Sequence, residues 1–381
     1  MGSSGRRSRS SFPRSTSAER AIGCSSMADT ASTSPVVSVI IPHYLGDILS
    51  DCLKTIYEAE EPTPFEVIVA DDQPHNDGSI ERALENWPDF RIVKTGGKRG
   101  LAYGCNRGLE IANGRYAILL NNDVEVSDGW LTALVSALDS DETIGAAQPK
   151  VRSMRDKAQF DSEGAGGGLM DVYAYPFCLG RVFDTVEMDE GQYDTGRDIF
   201  WALGGAMFVR MSAIERTGLM DEAFYMHMEE IDLCWRLHLA GYRIVSVPES
   251  LVYHWGGFSL KAETFQRLYL KHRNSLIMML KNWSTGSLIR TVPMRVFLEV
   301  ATGAMILKGD WRRALAGIAG VLWVLVHPFD VLRRRKACQV AREVPDRVVR
   351  RAMYGRSAVF AYYIRGRKTA TEMLTDGGMA E

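Results

Sequence analysis

Three polar residues stand in this sequence at a point where a buried strand would end. Ala117–Leu120 are all apolar, and they lead directly into Asn121, Asn122 and Asp123. This order is typical of a buried strand that delivers polar groups at its carboxyl end. A carboxylate cannot hold a phosphate directly, but it can hold a divalent cation that does. The run therefore predicts either a site for metal-assisted phosphate chemistry or a turn that Asn and Asp close by bonding their own backbone.

A second pair of acids, Asp71 and Asp72, follows the apolar run FEVIVA. Runs of this kind alternate with segments of helical spacing along the first part of the chain. We predict strands at VVSVIIP, FEVIVADD and RIVKT, and helices at 48–59, 79–86 and 101–113. This alternation indicates an α/β fold with a mostly parallel sheet and right-handed crossovers. Because such sheets bind ligands at the carboxyl ends of their strands, the acidic tips are candidate site residues.

The position of the glycines argues against a nicotinamide-binding fold. A dinucleotide fold carries G-x-G-x-x-G just after its first strand, whereas that position here reads PHYLGD. The run GGKRGLAYGCNRG follows the third predicted strand instead. It would let the backbone approach a nucleotide closely, with Lys98 or Arg99 near the phosphates, or it is only the turn that opens a helix. The small and amide residues expected at this contact are Gly100, Gly104, Asn106 and Gly108.

The overall composition is that of a globular protein. The 381 residues are 46% hydrophobic and 24% charged, and the formal net charge is −2, so no global field would recruit nucleic acid. The six cysteines contain no C-x-x-C pair, so neither a zinc site nor a disulfide framework is predicted. A reducing environment, and hence the cytoplasm, is the simpler expectation.

The ends of the chain differ from its centre. Residues 1–34 are rich in Ser and Arg, a composition that cannot bury enough surface to fold. They fit a transit peptide, an expression scar or a start site placed too early, and they lack the apolar segment of a secretory signal. We expect a catalytic domain at 35–280, an apolar helical appendage at 281–335 and a basic tail at 336–381. The appendage helices either pack on the domain or lie in a membrane interface.

The basic character of the C-terminal region is concentrated. Twelve Lys and Arg residues lie between Arg333 and Lys368, against two acids. This surplus favours either contact with anionic headgroups on the inner face of a membrane or an ordinary solvated tail.

The middle of the chain combines an irregular stretch with further elements. Residues 152–197 are rich in Gly and Tyr without a clear period, which is typical of a functional or lid-like segment. IFWALGGAMFVR then resumes as a strand, and its Trp201 could stack on a ligand or belong to the core. A helix in EEIDLCWRLHLAG follows an acidic turn, and the last predicted strand leads into His254.

Taken in order, these pieces resemble a known family. The matching stretches are SVIIPHY, EVIVADDQPHNDGS, GLAYGCNRGLEIANGRYAILLNNDVEV, GGAMFVR and MDEAFYMHMEEIDLCWRLHLAGYRIVSVPESLVYHWGG. From Val36 to about Leu280 the chain resembles the family 2 glycosyltransferases, within them the rhamnosyltransferase-like group. The resemblance implies a GT-A fold, with a mostly parallel sheet flanked by helices. It also implies transfer of a sugar with inversion, from a nucleotide-diphosphate donor (dTDP- or UDP-sugar favoured) to a hydroxyl of a glycan or lipid-linked acceptor.

The resemblance also implies roles for matching positions. Pro42 and Asp71 fall where the family contacts the nucleobase and ribose, although one extra residue in this turn makes Asp72 an alternative partner. Asp123 falls on the last acid of the D-x-D signature, and Glu230 falls on the catalytic base. The other donor-side candidates are Tyr44, Arg99, Asn106, Asn121 and Asn122, and the acceptor-side candidates are Trp201, Gly204, Gly205 and Glu229.

A divalent cation, Mn²⁺ or Mg²⁺, is the implied cofactor. His254 falls on a residue that completes the metal shell in some members, and an imidazole ligand favours manganese slightly. The sequence departs from the pattern in two ways. Asn121 replaces the first acid of the signature, which removes one negative charge from the surroundings of the cation. Glu230 stands where Asp is usual, so the base is one methylene longer.

Each assignment has a structural alternative. Glu230 lies in the first turn of a predicted helix, where negative charge is stabilising without any catalytic role. Asp232 and Arg236 have the spacing of a surface ion pair, and a lone His254 could be structural. For the whole chain, the rivals are a nucleotidyltransferase and a catalytically silent, membrane-associated scaffold with Asn121 as a first sign of lost activity.

Overall fold

The computed structural model describes residues 34–161, 165–256, 264–302 and 311–375. The predicted Ser/Arg-rich tail, apart from Ser34, lies outside these residues. From Ser34 onward the chain clusters as one compact unit. The regions predicted as catalytic domain, apolar appendage and basic tail therefore pack together.

The strands form one large and one small sheet. Their bounds are β1 (Val37–His43), β2 (Phe65–Asp71), β3 (Phe90–Lys94), β4 (Tyr116–Leu120), β5 (Val124–Val126), β6 (Ile144–Ser153), β7 (Gly168–Met170), β8 (Pro176–Cys178), β9 (Arg181–Val182), β10 (Thr185–Val186), β11 (Asp198–Ile199), β12 (Ala206–Arg210) and β13 (Arg243–His254). The large sheet has the order β11-β13-β6-β12-β4-β1-β2-β3, and β5 pairs with β13.

Helices cover this sheet and continue beyond it. Their bounds are α1 (Ile48–Glu58), α2 (Ser79–Asn86), α3 (Leu101–Ile111), α4 (Trp130–Ser140), α5 (Met211–Thr217), α6 (Glu229–Leu239), α7 (Phe265–Asn282), α8 (Thr285–Thr302), α9 (Trp311–Val326), α10 (Pro328–Val340), α11 (Asp346–Arg351), α12 (Ala358–Tyr363) and α13 (Ala370–Thr375). The predicted α/β fold with a mostly parallel central sheet and C-terminal helices is confirmed.

Strand direction first changes between β4 and β12, and β5 and β11 also run antiparallel to β13. β3, β2, β1 and β4 are mutually parallel, so their carboxyl ends share one edge. β12 runs antiparallel to both β4 and β6, while β6 and β13 are parallel. This reversal brings the start of β12 to the carboxyl end of β4. The two ends meet where Ala206 pairs with Leu120.

The polar run after β4 connects the centre of the sheet to a strand from the far end of the catalytic region. Asn121, Asn122 and Asp123 separate β4 from β5, and β5 pairs with the end of β13, with Val124 opposite His254. Asp123 and His254 are therefore neighbours because two strands pair, although 131 residues separate them in the chain.

The described residues of the irregular stretch 152–197 are folded. β7 to β10 form a four-stranded antiparallel sheet within it. The sheet packs on the C-terminal region: Tyr354 donates from its backbone to Met170 and accepts from Val172, and the rings of Phe183 and Tyr362 meet edge to face. Most of this stretch is thus structural rather than a loose lid.

The C-terminal arginines make specific contacts, which corrects the expectation of a solvated tail. Arg334 pairs with Asp221, Arg342 pairs with Asp346, and the Arg350 guanidinium lies 4.7 Å from the Trp283 ring centroid. Among the described residues, no single helix is long and apolar enough to cross a membrane. Only α9 and α10 taken together reach that length and composition, and an 80° bend separates them.

A close helix–strand contact gives a test of this packing. We expect Gly108→Ala to lower the free energy of unfolding by about 1–3 kcal/mol, the range for overpacked cores, because the added β-carbon would lie 2.2 Å from Cγ2 of buried, β-branched Ile40. Gly104→Ala on the same helix is the control, since its nearest atom would be 3.5 Å away. Helix propensity makes that change neutral or stabilising by up to about 1 kcal/mol. Urea unfolding of both variants measures the difference, and equal midpoints would contradict the α3–β1 packing.

Candidate active site

A cavity of about 440 Å³ opens at the carboxyl edge of the parallel strands. Its walls come from the ends of β1 and β4, the loop before α3, the turn before β12, and the starts of α6 and α7. Thirteen of the predicted site residues line it: Pro42, Tyr44, Asp72, Lys98, Gly100, Asn121, Asn122, Asp123, Gly204, Gly205, Glu229, Glu230 and His254.

Asp123 and His254 form a buried polar pair in this cavity. His254 Nε2 lies 3.2 Å from Asp123 Oδ1, and His254 Nδ1 lies 3.3 Å from Asp161 Oδ1. Burial by itself lowers the pKa of His254, but the carboxylates of Asp123 and Asp161 outweigh burial and raise this pKa well above its ordinary value. The imidazole is thus fixed between two acids, one of them inside the cavity.

The ligand atoms of these two side chains are of the kinds that divalent cations accept. A carboxylate oxygen and an imidazole nitrogen are both ligands for Mn²⁺. Within the described residues, no group of three His, Cys, Asp or Glu is arranged around a common metal position. A cation at Asp123 and His254 would therefore take its other ligands from water and from substrate phosphates, as Mg²⁺ commonly does.

Glu229 and Glu230 begin α6 immediately after a strained turn. Tyr225, His227 and Met228 have φ values of 65°, 67° and 74°, a region that L-residues rarely adopt. The Asn274 side chain on α7 holds this turn, because its amide donates to the backbone carbonyls of residues 224, 226 and 227. The two carboxylates reach the cavity only because this turn is fixed.

The two carboxylates at the start of α6 are close and shielded from water. Glu229 is 2% exposed, and burial together with the neighbouring Glu230 carboxylate raises the pKa of Glu229 well above its ordinary value. A protonated Glu229 carries no charge to repel an ionised neighbour. The positive end of the helix dipole further favours negative charge here.

Two glycines bring the start of α6 and the end of β4 together. A β-carbon at Gly204 would lie 3.3 Å from Cβ of Glu230, and one at Gly205 would lie 2.8 Å from the Asn121 amide nitrogen. Larger residues would push apart the helix that carries Glu230 and the segment that carries Asn121. Gly204 and Gly205 thus set the width of the cavity at this point.

Asp232 is part of a buried network, which corrects the expectation of a surface ion pair with Arg236. The side chain is fully buried, and it accepts hydrogen bonds from Arg236, Lys281 and Asn282. Lys281 also pairs with Asp221. The network ties the first turn of α6 to the end of α7.

Asp72 fixes the glycine-rich loop. Its carboxylate accepts hydrogen bonds from the backbone N–H groups of Arg99 (2.8 Å) and Gly100 (2.9 Å) and from the Thr95 hydroxyl. Gly100 has a φ of 93°, and a β-carbon there would lie 2.5 Å from the Tyr225 ring, so no larger residue fits. Both carboxylate oxygens of Asp72 accept hydrogen bonds. The Asp71 carboxylate, among the contacts described, accepts only from the backbone N–H of Gln73.

Six predicted site residues do not line the cavity: Asp71, Arg99, Gly104, Asn106, Gly108 and Trp201. The Arg99 guanidinium lies 4.5 Å from the Tyr103 ring centroid, while Lys98 of the same loop does line the cavity. Asn106 is buried and exchanges two hydrogen bonds with the backbone of Met220. Trp201 is 4% exposed, and its indole N–H donates to the Leu169 carbonyl, so it belongs to the core.

Sequence reasoning missed several residues that line the cavity. His43 follows Pro42 on β1 and joins Asn122 (2.9 Å) to Ser79 (2.8 Å) through its two ring nitrogens. Its position at a strand tip was the available signal. Tyr225, His227 and Arg267 also line the cavity. They had no such signal, because they reach it through the turn before α6 and the start of α7.

The fold and the cavity define the class of protein. The chain has a GT-A fold, shared with a solved structure described as GalNAc-T7 with UDP, GalNAc and Mn²⁺. The two align with a TM-score of 0.50 and 16% identity, over 67% of this chain and 49% of that one. Since this chain spans about half of that protein, the likeness concerns the fold alone.

The sequence comparisons give the family. The model for glycosyl transferase family 2 matches residues 38–200. The N-acetylglucosaminyl-diphospho-decaprenol L-rhamnosyltransferase of Mycobacterium tuberculosis (strain CDC 1551 / Oshkosh) is 29% identical over 64% of this chain and 82% of its own. Rhamnosyltransferase WbbL of Escherichia coli (strain K12) is 23% identical over 58% and 83%. Residues 38–200 match the glycosyl transferase family 2 model and the chain is similar to rhamnosyltransferases, so the resemblance seen in the motifs is confirmed.

The different surroundings of the two neighbouring acids predict different effects of substitution. Asp72→Asn places an amide nitrogen against backbone N–H groups, and we expect the free energy of unfolding to fall by about 1–3 kcal/mol, the penalty for an unsatisfied buried group. Asp71→Asn keeps an acceptor for Gln73, so its stability should stay within about 0.5 kcal/mol of the parent. Chemical denaturation of both variants checks this. A larger loss in the Asp71 variant would refute the assignment of Asp72 as the residue that fixes the loop.

Proposed function

We propose that this enzyme transfers a sugar, rhamnose in particular, from a nucleotide-diphosphate donor to a hydroxyl group with inversion at the anomeric carbon. We further propose a dTDP- or UDP-sugar as the donor and a glycan or lipid-linked acceptor, in the cytoplasm. The observation that carries the proposal is the meeting of Asp123, His254 and Glu230 in one cavity. The names of the related rhamnosyltransferases support the sugar, and the free, buried cysteines among the described residues suit a reducing compartment.

In the proposed reaction, Glu230 acts as the base. The acceptor hydroxyl oxygen forms a bond to the anomeric carbon while the bond from that carbon to the diphosphate oxygen breaks on the opposite face. The hydroxyl proton goes to the Glu230 carboxylate. A hydroxyl is a poor nucleophile at neutral pH, so general-base assistance of this kind contributes about 10²–10⁴-fold. Glu229, Gly204 and Gly205 would form the acceptor side around the base.

The donor would lie along the opposite wall. Pro42, Tyr44 and Asp71 would contact the nucleobase and ribose of the donor. Asp72 would act indirectly, through the glycine-rich loop that it holds. Lys98 and Arg267 line the cavity from two different elements and would balance the charge of the diphosphate.

Asp123 and His254 would hold a divalent cation against the diphosphate. Such a cation would neutralise the charge that develops on the leaving group. Asn121, in place of an acid, leaves one negative charge fewer beside that position. We therefore place the protein's contribution to metal binding on Asp123, on His254, and on Asp161 as the carboxylate that orients the imidazole from outside the cavity.

The assignment of the base is tested by Glu230→Gln. We expect the transfer rate from a panel of dTDP- and UDP-sugars to fall by about 10²–10⁴-fold, because the hydroxyl proton then has no acceptor. The affinity for nucleoside diphosphate, measured by calorimetry, should stay unchanged. Glu215→Gln on the exposed side of α5 is the matched control. Near-normal turnover in the Glu230 variant would exclude Glu230 as the base.

The support from Asp161 gives a separate test. Asp161→Asn is expected to weaken Mn²⁺ binding in the presence of UDP or dTDP by about 10–100-fold, as is typical when the partner of a ligating histidine is removed. Calorimetric titration of Mn²⁺ provides a readout that does not depend on turnover. Asp89→Asn, at an exposed position before β3, is the control. Unchanged Mn²⁺ affinity in the Asp161 variant, with lost affinity in His254→Ala, would show that Asp161 has no part in positioning the imidazole.

A further inference from the structure

Helix α9 is packed with its small side inward. The residues that it buries fully are small: Ala314, Ala316, Gly317 and Gly320. Six of its large apolar side chains are between 44% and 68% exposed, namely Trp311, Leu315, Ile318, Leu322, Leu325 and Val326, while Trp323 and Val324 are partly buried against the core. A helix on the surface of a globular protein normally has the opposite arrangement, with large apolar residues toward the core.

The neighbouring helices force this arrangement. A β-carbon at Gly320 would lie 3.0 Å from the backbone nitrogen of Arg273 on α7, and one at Gly317 would lie 3.4 Å from the Glu299 carboxylate on α8. At Gly317 and Gly320 no large side chain fits, because α7 and α8 come this close. Packing at these two positions turns much of the large apolar surface of α9 outward, while Trp323, whose ring centroid lies 5.3 Å from the Arg273 guanidinium carbon, remains partly buried.

The exposed apolar surface continues onto both adjoining helices. On α8 it includes Ile289, Val296, Phe297 and Val300, and on α10 it includes Phe329 and Leu332; these side chains are between 43% and 84% exposed. We call this surface of α8, α9 and the start of α10 the apolar face. A contiguous exposed patch of this kind marks a site of interaction with a protein or a membrane.

The charges around the apolar face are of one sign. Among the described residues of α8 to α10, the exposed charged side chains are Arg290, Arg312, Arg333 and Lys336. The two acids described on these helices are engaged: Glu299 is buried against Arg295, and Asp330 is bonded to Arg333 and Arg334. A second copy of this chain would meet the face with like charges. Anionic lipid headgroups would complement it.

The apolar face lies close to the cavity along α7. Arg273 of α7 contacts α9, while Gln266 and Arg267, at the start of the same helix, line the cavity. Six residues of helix separate Arg267 from Arg273, about 9 Å at the rise of an α-helix. Helix α7 therefore links the cavity with the buried side of the helix that carries the apolar face.

We propose that the apolar face docks onto an anionic phospholipid bilayer. Helix α9 lies in the plane of the headgroup boundary with its large apolar side chains in the acyl region, and the basic residues contact the headgroups. At 16 residues, α9 is shorter than the about 20 residues that a span needs. The inference goes beyond the proposed function, because it depends on the arrangement of these helices and not on the donor or the base.

Co-sedimentation of the purified full chain with vesicles tests the proposal without any sugar donor, so its outcome is independent of catalysis. We expect at least about tenfold stronger partition into vesicles of equal parts phosphatidylglycerol and phosphatidylcholine than into phosphatidylcholine alone, since each basic residue near an anionic surface adds to binding. Leu322→Glu should reduce partition by at least about tenfold, because it places a charge in the acyl region. Ile92→Glu, a similarly exposed apolar position on β3, should leave partition unchanged.

A second variant tests the electrostatic contribution to vesicle binding separately. Arg333→Glu, at a side chain that is 77% exposed, should weaken partition into the anionic vesicles and leave partition into phosphatidylcholine unaltered. Circular dichroism verifies that each variant is folded. Absence of vesicle binding, or equal binding of the Leu322 and Ile92 variants, would overturn the proposal. A dimer in sedimentation equilibrium that Leu322→Glu dissociates, without vesicle binding, would overturn it in favour of a subunit interface.

Discussion

The candidate site depends on how α7 holds the turn before α6. Three residues of the turn 225–228 have positive φ, and such conformations cost non-glycine residues about 1–3 kcal/mol each unless the surroundings impose them. The side-chain amide of Asn274 donates to the backbone carbonyls of residues 224, 226 and 227, in and next to this turn. At the other end of α7, Lys281 and Asn282 hold Asp232, in the first turn of α6. The direction of the Glu229 and Glu230 carboxylates is therefore imposed from outside the central sheet.

Because of this dependence, α7 contributes directly to the candidate site. α7 supports the turn that carries the proposed base, lines the cavity with its first residues, and packs against the small residues of α9. The same helix thus links the candidate site with the helices that carry the apolar face. It lies almost wholly within the region predicted as the catalytic domain, 35–280, and α9 of the predicted appendage packs against it. An enzyme with an acceptor at a lipid surface would need its site and its docking surface held in one rigid arrangement.

Electrostatics at the site follow from burial. His254 is almost completely buried between Asp123 and Asp161, whose carboxylates raise its pKa against the effect of burial, so a cation on Nε2 would have to displace the proton there. Glu229 is buried beside Glu230, so its carboxyl group favours the neutral form. Asp123 and Glu230 line the same cavity from two different elements, the end of β4 and the start of α6. Asn121, which is neutral, stands between the two sides and contacts both Gly205 and His254.

The sequence by itself determined the local elements and the polar strand tips. Apolar runs such as FEVIVA and AILL are read within a few residues, because the period of a strand or helix is a local property. The sequence could not determine that β5 pairs with β13, which is what places Asp123 beside His254, because strand pairing across 131 residues depends on the whole sheet. It likewise indicated an apolar α9 without deciding which side faces outward. Only the close approach of α7 and α8 at Gly317 and Gly320 decided that six of its large apolar residues are exposed.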